Sequence, residues 1–227
     1  MKLIASWSGG KDSCLALHRA LQAGHEIACL LNFVTEGEDR CAFHGIPSRL
    51  LLLQAEAMGI PIVQTEMPRD MAGYESAFTR CVAELARSLG AGGMVFGDIY
   101  LDEHREWVER VCGDIGIIAL EPLWGGEPIT IAREFIDAGF RTTVVSAKAD
   151  LFTADDVGRD YDMGFVETLV RRGVCPCGEN GEFHTFVYDG PLFRNRIVIN
   201  KTQKTLVDGF WEHWELDIQG FSLSNND

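Results

Sequence analysis

A glycine-rich hexapeptide near the N-terminus carries the residue types best suited to chemistry. Residues 8–13 read SGGKDS and lie between a short apolar stretch and a segment with helical periodicity. Paired glycines let the backbone approach an anion without a Cβ in the way, and a following helix directs free N–H groups at that anion. Lys11 can neutralise phosphate, and Asp12 can hold Mg²⁺ directly or through water. We predict a phosphate site formed by Ser8, Gly9, Gly10, Lys11, Asp12 and Ser13.

The spacing of this loop differs from those of two familiar nucleotide loops. A Walker A loop needs Gly, four residues and then Gly-Lys-Ser/Thr, whereas Asp12 follows the lysine here. The Gly-x-Gly-x-x-Gly fingerprint of dinucleotide sites is also absent. The hexapeptide instead resembles the pyrophosphate loop (PP-loop) of the N-type ATP pyrophosphatases, which activate an oxygen by adenylation. The alternative is an ordinary glycine-rich turn that leaves Lys11 and Asp12 in solvent.

A second candidate element ends at Gly97-Asp98. Residues 92–98 read as a strand followed by a turn. The carboxyl ends of parallel strands form the edge at which open α/β sheets bind ligands. Gly97 and Asp98 are therefore predicted to line the nucleotide or acceptor site. The alternative is that Asp98 caps the helix that follows, over 101–111.

The stretch 175–185, CPCGENGEFHT, crowds polar groups into a few residues. Carboxylates there could hold ammonium, orient an amine or coordinate Mg²⁺, and we predict acid–base roles for Glu179 and Glu182. The predicted substrate-binding residues are Gly178, Glu179, Asn180, Glu182 and His184. Two alternatives stay open. Cys175 and Cys177 could belong to a zinc site, although Cys-x-Cys is not the usual zinc spacing, or the stretch could be a solvated surface loop.

The order of predicted elements indicates the fold class. Apolar stretches at 3–7 and 26–34 read as buried strands, and helical periodicity is clearest over 74–89. This strand–helix alternation favours an α/β fold with a parallel sheet. From about 184 to 218 the pattern indicates antiparallel strands. We predict a PP-loop domain over 1–122 and a smaller α+β domain, which binds the acceptor, over 123–227.

The overall composition limits the classes of partner. The 227 residues carry a net charge of −14, which makes nucleic acid an improbable ligand. No apolar run approaches the ~18 residues that a membrane helix needs, and no signal peptide is visible. Seven cysteines, an odd number, do not suggest a secreted disulfide framework. We predict a cytoplasmic protein that does not bind membranes, and Trp211 and Trp214 could form the face of a homodimer.

Motifs in both halves of the chain resemble the diphthine–ammonia ligase family of the PP-loop superfamily. They follow the family's order over almost the whole sequence. The last of them is most similar to the family's bacterial branch of ATP-binding proteins. The matching segments are SGGKDS at 8–13, HGIP at 44–47, GDIYLDEHREWVERVC at 97–112, EPLWG at 121–125, GF at 139–140, GR at 158–159 and CGENGEFHTFVYDGPLF at 177–193.

The resemblance implies a Rossmann-like N-terminal domain of the adenine nucleotide alpha hydrolase type, with ATP at its interface with the smaller domain. The family's reaction is ATP-dependent amidation of the diphthine carboxylate on elongation factor 2. An acyl-adenylate forms with loss of pyrophosphate, and ammonia then displaces AMP. By matching position, residues 8–13 would bind the phosphates and Mg²⁺, with catalytic roles for Lys11 and Asp12. Gly178, Glu179, Asn180 and Glu182 would face the acceptor or ammonium.

The identity of the acceptor stays open at this stage. Bacteria do not make diphthamide, so a bacterial member would need another carboxylate. The acceptor is therefore either protein-borne diphthine or an unknown small molecule. The chain has no room for a glutaminase domain, which favours free ammonia or a donor from a partner.

Two other functions compete with the ligase interpretation. A PP-loop sulfurtransferase acting on tRNA would need a thiolate, and the candidates are Cys14, Cys41, Cys175 and Cys177. A non-catalytic sensor would bind ATP and turn nothing over. The acidic composition counts against the first and the carboxylates at 179–182 count against the second.

Overall fold

The structure is a computed structural model that describes residues 1–41, 45–68, 71–208 and 211–224. His44 of the HGIP motif therefore lies outside the described residues. The chain forms two compact units. The first contains Met1–Ser8, Asp12–Ala42 and Ile60–Gly125, and the second contains Gly9–Lys11, Phe43–Gly59 and Gly126–Asp227.

The first unit is built on a five-stranded, fully parallel sheet. Its strands are β1 (Lys2–Ser6), β2 (Glu26–Thr35), β3 (Ile62–Met67), β4 (Gly93–Val95) and β5 (Ile118–Leu120). Its helices are α1 (Lys11–Gln22), α3 (Met71–Leu89) and α4 (Asp102–Ile115). Helix α2 (Ser48–Met58) lies between β2 and β3 in the chain but belongs to the second unit. The hydrogen-bonded order is β3-β2-β1-β4-β5. The predicted Rossmann-like α/β class is confirmed.

The core of this unit forms where α3 and α4 cover the sheet. Phe78 and Val82 of α3 are buried, as is Val111 of α4, together with Ile4 and Met94 of the strands. This burial follows from the helical periodicity of the apolar residues, which places them on one stripe of each helix.

The second unit contains a smaller, four-stranded antiparallel sheet, as predicted for the C-terminal region. Its strands are β6 (Arg141–Lys148), β7 (Phe183–Asp189), β8 (Arg196–Val207) and β9 (His213–Ser224), in the order β7-β6-β9-β8. Helices α5 (Pro128–Asp137) and α6 (Met163–Arg171) precede it or lie between its strands in the chain. Helix α2 packs against β8 and β9. Within the described parts of the chain, no helix is both long and apolar enough to cross a membrane.

The loop that follows β1 is held by a buried glutamine of α2. Gln54 is 0% exposed. Its Nε2 donates to the carbonyl of Gly9 at 3.1 Å and to that of Val187 in β7 at 2.6 Å. The N–H of Val187 donates to the same Gly9 carbonyl at 2.9 Å. Because buried carbonyls need partners, this side chain fixes the position of Gly9 relative to β7.

We expect Gln54→Leu to lower the free energy of unfolding by about 1–3 kcal/mol, because the Val187 carbonyl loses its side-chain donor in a buried setting. Urea unfolding followed by circular dichroism measures the change. Gln203→Leu is the matched control, since Gln203 lies exposed on β8 and should change the midpoint little. Equal midpoints for the Gln54 variant and the parent protein would contradict this role.

Candidate functional site

The candidate site begins at the point where the strand order of the parallel sheet reverses. Strands β1 and β4 are neighbours, although the chain passes through β2 and β3 between them. In open α/β sheets such a reversal opens a crevice beyond the carboxyl ends of the two strands, where ligands bind. Here SGGKDS follows β1, and Gly97-Asp98 follow β4. The two motifs selected from the sequence thus follow the two strands that flank the crevice.

The first glycine of the hexapeptide has a backbone that other residues seldom adopt. Gly9 has a φ of +78°, in the left-handed region. A Cβ placed there would lie 2.4 Å from Cδ2 of Leu51 and 2.9 Å from Oε1 of Gln54. Both the turn and its packing against α2 therefore require glycine at this position.

Gly97 makes a close backbone approach to the first turn of α1. A Cβ at Gly97 would lie 3.0 Å from the carbonyl carbon of Asp12 and 3.1 Å from the backbone nitrogen of Ser13. Both groups belong to the rigid start of a helix, so neither could easily give way. The Oγ atoms of Ser8 and Ser13 lie 3.2 Å apart across the loop. The end of β4 and the start of α1 consequently form one tight backbone surface.

Lys11 is buried, and its contacts lie with the C-terminal strands and loops. Its backbone N–H donates to Oγ1 of Thr185 at 3.0 Å. Its ammonium group donates to the carbonyl of Cys177. The same nitrogen lies 5.1 Å from the ring centre of Phe183 and 5.8 Å from that of Tyr161, within cation–π range. The phosphate-loop lysine is thus in contact with the predicted substrate stretch 175–185.

The stretch itself is a pair of tight turns closed by a buried carboxylate. The N–H of Gly178 donates to the carbonyl of Cys175 at 3.0 Å. Glu182 is buried. Its Oε2 accepts from the backbone N–H of Asn180 at 2.9 Å, and its Oε1 accepts from Nδ2 of the same residue at 3.1 Å. Lys148 of β6 donates to the Asn180 carbonyl at 3.0 Å. Glu182 therefore shapes this loop through hydrogen bonds.

His184 lies on β7 among positive charges. Burial, together with the nearby charges of Lys11, His213 and Lys148, lowers its pKa to about 4. At neutral pH the imidazole is therefore uncharged and can donate one hydrogen bond and accept another. This state suits contact with a neutral or anionic ligand better than transfer of a proton at pH 7.

Asp98 does not cap a helix, so the capping alternative is wrong. Helix α4 has Leu101 at its N-cap position, with no side-chain hydrogen bond to the cap. Oδ1 of Asp98 instead lies 3.1 Å from Nδ1 of His104. The carboxylate thereby pairs with a side chain of α4.

Glu121 is a further candidate site residue, which the sequence alone did not single out. It follows β5, the strand next to β4, and its side chain is only 6% exposed. Burial and the nearby charge of Asp98 raise its pKa to about 7. Its place in the EPLWG motif, directly after a predicted strand, could have pointed to it. A single glutamate before a proline does not, however, form a recognisable sequence pattern. Gln54 was missed for a similar reason, since it stands alone in a leucine-rich helix.

The structure brings the predicted residues together in two groups, one in each unit. The group in the first unit consists of Ser8, Asp12, Ser13, Gly97 and Asp98. The group in the second unit consists of Gly9, Gly10, Lys11, Gly178, Glu179, Asn180, Glu182 and His184. The two groups are continuous in the chain through the hexapeptide. Their roles in ligand binding stay predictions.

Asp12 is the sequence-predicted ligand of Mg²⁺. The described residues contain no cluster of three or more His, Cys, Asp or Glu side chains that could hold a metal. Mg²⁺ is often bound by one or two carboxylates together with substrate phosphates. Half-buried Asp12, in the first turn of α1, fits that kind of partial site.

Comparison with known proteins gives a consistent family assignment. The model of the diphthamide synthase N-terminal domain matches residues 1–119, and that of the diphthamide synthase C-terminal domain matches residues 127–217. The diphthine–ammonia ligase of Danio rerio is 26% identical over 228 residues, covering 91% of this chain and 89% of the relative. That of Homo sapiens is 27% identical over 225 residues, covering 89% and 84%.

Among solved structures, the chain is similar to a predicted subunit of tRNA methyltransferase from Methanocaldococcus jannaschii. The TM-score is 0.47 and the sequence identity 18%, over 84% of this chain and 98% of the other. A likeness at this level supports no argument about fold or function. The two domain models, by contrast, match in order over most of the sequence, and the chain belongs to the diphthamide synthase family.

Proposed function

We propose that this protein adenylates a carboxylate with ATP, releases pyrophosphate, and transfers ammonia to the acyl-adenylate to form an amide and AMP. The family and its named relatives support the coarser statement, an ATP-dependent ligase. The observation that carries the finer proposal is the tight approach of Gly97 to the backbone of Asp12 and Ser13 at the reversal of strand order. This geometry offers helix N–H groups to phosphate at the place where α/β sheets bind ligands.

Adenylation solves a leaving-group problem. A free carboxylate resists ammonia because an oxide would have to leave, whereas a mixed anhydride with AMP expels a stable anion. The enzyme must hold the carboxylate in line with the α-phosphorus and stabilise the charge that develops on pyrophosphate. We assign that stabilisation to the ammonium group of Lys11 and the backbone N–H groups of Asp12 and Ser13, with the Asp12 carboxylate as the ligand of Mg²⁺ brought by the nucleotide.

The loop at 178–184 is proposed to contact the acceptor. Asn180 is exposed, Glu179 is half-buried, and neutral His184 can hydrogen-bond a carboxylate. Glu182 holds this loop in place by accepting two hydrogen bonds from Asn180. The acceptor is a carboxylate, either diphthine on a protein or a small molecule, and we place its binding in a C-terminal domain of residues 123–227, with ATP bound by residues 1–122.

The environment of Cys14 counts against the rival sulfurtransferase. Burial raises the pKa of the Cys14 thiol well above its usual value, and the nearby charge of Asp12 raises it further. A sulfur carrier needs an accessible thiolate, which this position does not favour. Cys177 is also buried, and its Sγ donates to the carbonyl of Pro128 at 3.3 Å.

We expect Lys11→Ala to lower the rate of AMP formation at least about 100-fold, because the charge on departing pyrophosphate loses its fixed cation. The assay follows α-³²P-labelled ATP with Mg²⁺, ammonium and elongation factor 2 that carries diphthine, with cell extract as a second acceptor source. Lys201→Ala is the matched control, since Lys201 is an exposed lysine on β8.

The products of this assay decide between the candidate functions. AMP and pyrophosphate, dependent on acceptor and on Lys11, support the ligase. ADP as the product would overturn the adenylation mechanism. Bound ATP without turnover under any acceptor would favour the sensor.

We expect Gly97→Ala to raise the KM for ATP about tenfold or more while the protein stays folded. The added methyl group would press on the backbone of Asp12 and Ser13 and displace the N–H groups of α1 from the phosphates. Steady-state kinetics of AMP formation measure KM, and the thermal midpoint reports folding. Gly113→Ala is the control, since a Cβ there meets nothing within 4 Å. An unchanged KM in Gly97→Ala would contradict the assignment.

A further inference from the structure

Glu121 lies at the sheet edge beside the residues assigned to nucleotide binding. Strands β1, β4 and β5 are consecutive in the parallel sheet. The hexapeptide follows the first, Gly97-Asp98 follow the second and Glu121 follows the third. Because parallel strands end at a common edge, Glu121 extends the row of functional groups beyond Asp98.

One oxygen of this carboxyl group is buried with its hydrogen-bonding capacity unused. The Glu121 side chain is 6% exposed, and its Oε1 has no hydrogen-bond partner among the described residues. Its Oε2 lies 3.7 Å from Nε of Arg105. That guanidinium is already engaged, because it donates to Glu109 at 2.7 Å and lies 4.8 Å from the ring centre of Trp124. A buried carboxylate oxygen without a donor is costly, so a ligand that supplies one would be stabilised there.

The charges around Glu121 are mostly negative. Asp98 and Glu109 raise its pKa, Arg105 lowers it, and burial is the largest cause of its rise to about 7. Burial and the charge of Glu121 raise the pKa of the Cys112 thiol, in α4, to about 12. A small cation that donates hydrogen bonds therefore suits this position on both electrostatic and hydrogen-bonding grounds.

We propose that Glu121 binds the nitrogen donor as ammonium and removes one of its protons. This inference rests on the proposed ligase function and deepens it by naming the group that handles the nitrogen. Ammonium is a compact cation with four N–H donors. One N–H can donate to the unpartnered Oε1 of Glu121, and the carboxylate of Asp98 lies nearby. Glu182 is less suited to this role, because both of its oxygens already accept hydrogen bonds from Asn180.

The proton and electron balance of the step is simple. An N–H bond of ammonium breaks, its electron pair stays on nitrogen, and the proton adds to Oε1 of Glu121. The resulting ammonia attacks the carbonyl carbon of the acyl-adenylate, and the C–O bond to AMP breaks with its electron pair on AMP. The second proton lost from nitrogen passes to solvent, which leaves the amide. A carboxyl group that titrates near neutral pH is matched to this task.

Thermal unfolding in different salts tests the inference without any turnover. At about pH 8, where Glu121 is ionised, ammonium chloride should raise the Tm by a few degrees over the same concentration of sodium chloride. Tetramethylammonium chloride should give no such rise, because it is too large for the position and has no N–H donors. The gain from ammonium should shrink as the pH falls through about 7, where Glu121 becomes protonated.

Glu121→Gln should abolish the difference between ammonium and sodium, whereas Glu106→Gln, on the exposed side of α4, should keep it. The pKa of Glu121 is raised on folding, so its ionisation destabilises the native state. Glu121→Gln should therefore raise the Tm in sodium chloride above about pH 7, and the gain should disappear near the usual value of 4.5. Equal Tm values for the parent protein in ammonium and sodium would overturn the inference even if the variant failed to fold. A retained difference in a folded Glu121→Gln would overturn it as well.

The AMP assay separates a failure at Glu121 from a failure of the proposed function. Hydroxylamine is a nucleophile that is largely uncharged at neutral pH and needs no base to release its lone pair. Glu121→Gln should lose at least about tenfold in kcat/KM for ammonium while keeping its rate with hydroxylamine. Equal losses with both nucleophiles would contradict the assignment. If the parent protein formed no AMP with either nucleophile, the ligase proposal would fail, whereas the salt comparison would still test ammonium binding.

Discussion

The approach of Gly97 to the first turn of α1 is the constraint on which the candidate site depends. It requires β1 and β4 to be neighbours, which in turn requires the chain to cross from β3 to the other side of β1. It also requires a residue without a side chain at the end of β4, since the backbone of Asp12 occupies the space that a Cβ would need. The parallel sheet, its strand order and the glycine together allow the end of β4 to lie against the start of α1.

Sequence reasoning recovered the parts of this arrangement that are local in the chain. SGGKDS predicted an anion site because glycines, a lysine and the start of a helix are adjacent there. The strand before it and the helix after it were predicted from the pattern of their apolar residues. It could not recover groups whose partners are distant. Gln54 reads as one polar residue among leucines until the carbonyls of Gly9 and Val187 are seen beside it. The same holds for Glu121, whose importance comes from its burial and from neighbours on β4 and α4.

Helix α2 shows a second limit of local patterns. Its place between β2 and β3 suggests an ordinary crossover helix of the parallel sheet, yet it packs against β8 and β9. Leu50, Leu51 and Gln54 lie on its buried face, and periodicity alone does not say which sheet that face covers. Only the packing of distant strands decides that question, which is why the loop after β1 and the antiparallel sheet share a buried side chain.

The long separation between Lys11 and its partners has a consequence for synthesis of the chain. Its backbone N–H is paired with Thr185, 174 positions later, and its ammonium group with Cys177, 166 positions later. Contacts between residues so far apart in the chain form only after the intervening segments exist and have folded. During translation, β1 and α1 would emerge early, but the turn at Gly9 and the side chain of Lys11 would stay without these partners until most of the chain had left the ribosome. Nucleotide binding by a nascent fragment that ends before residue 177 is thereby disfavoured.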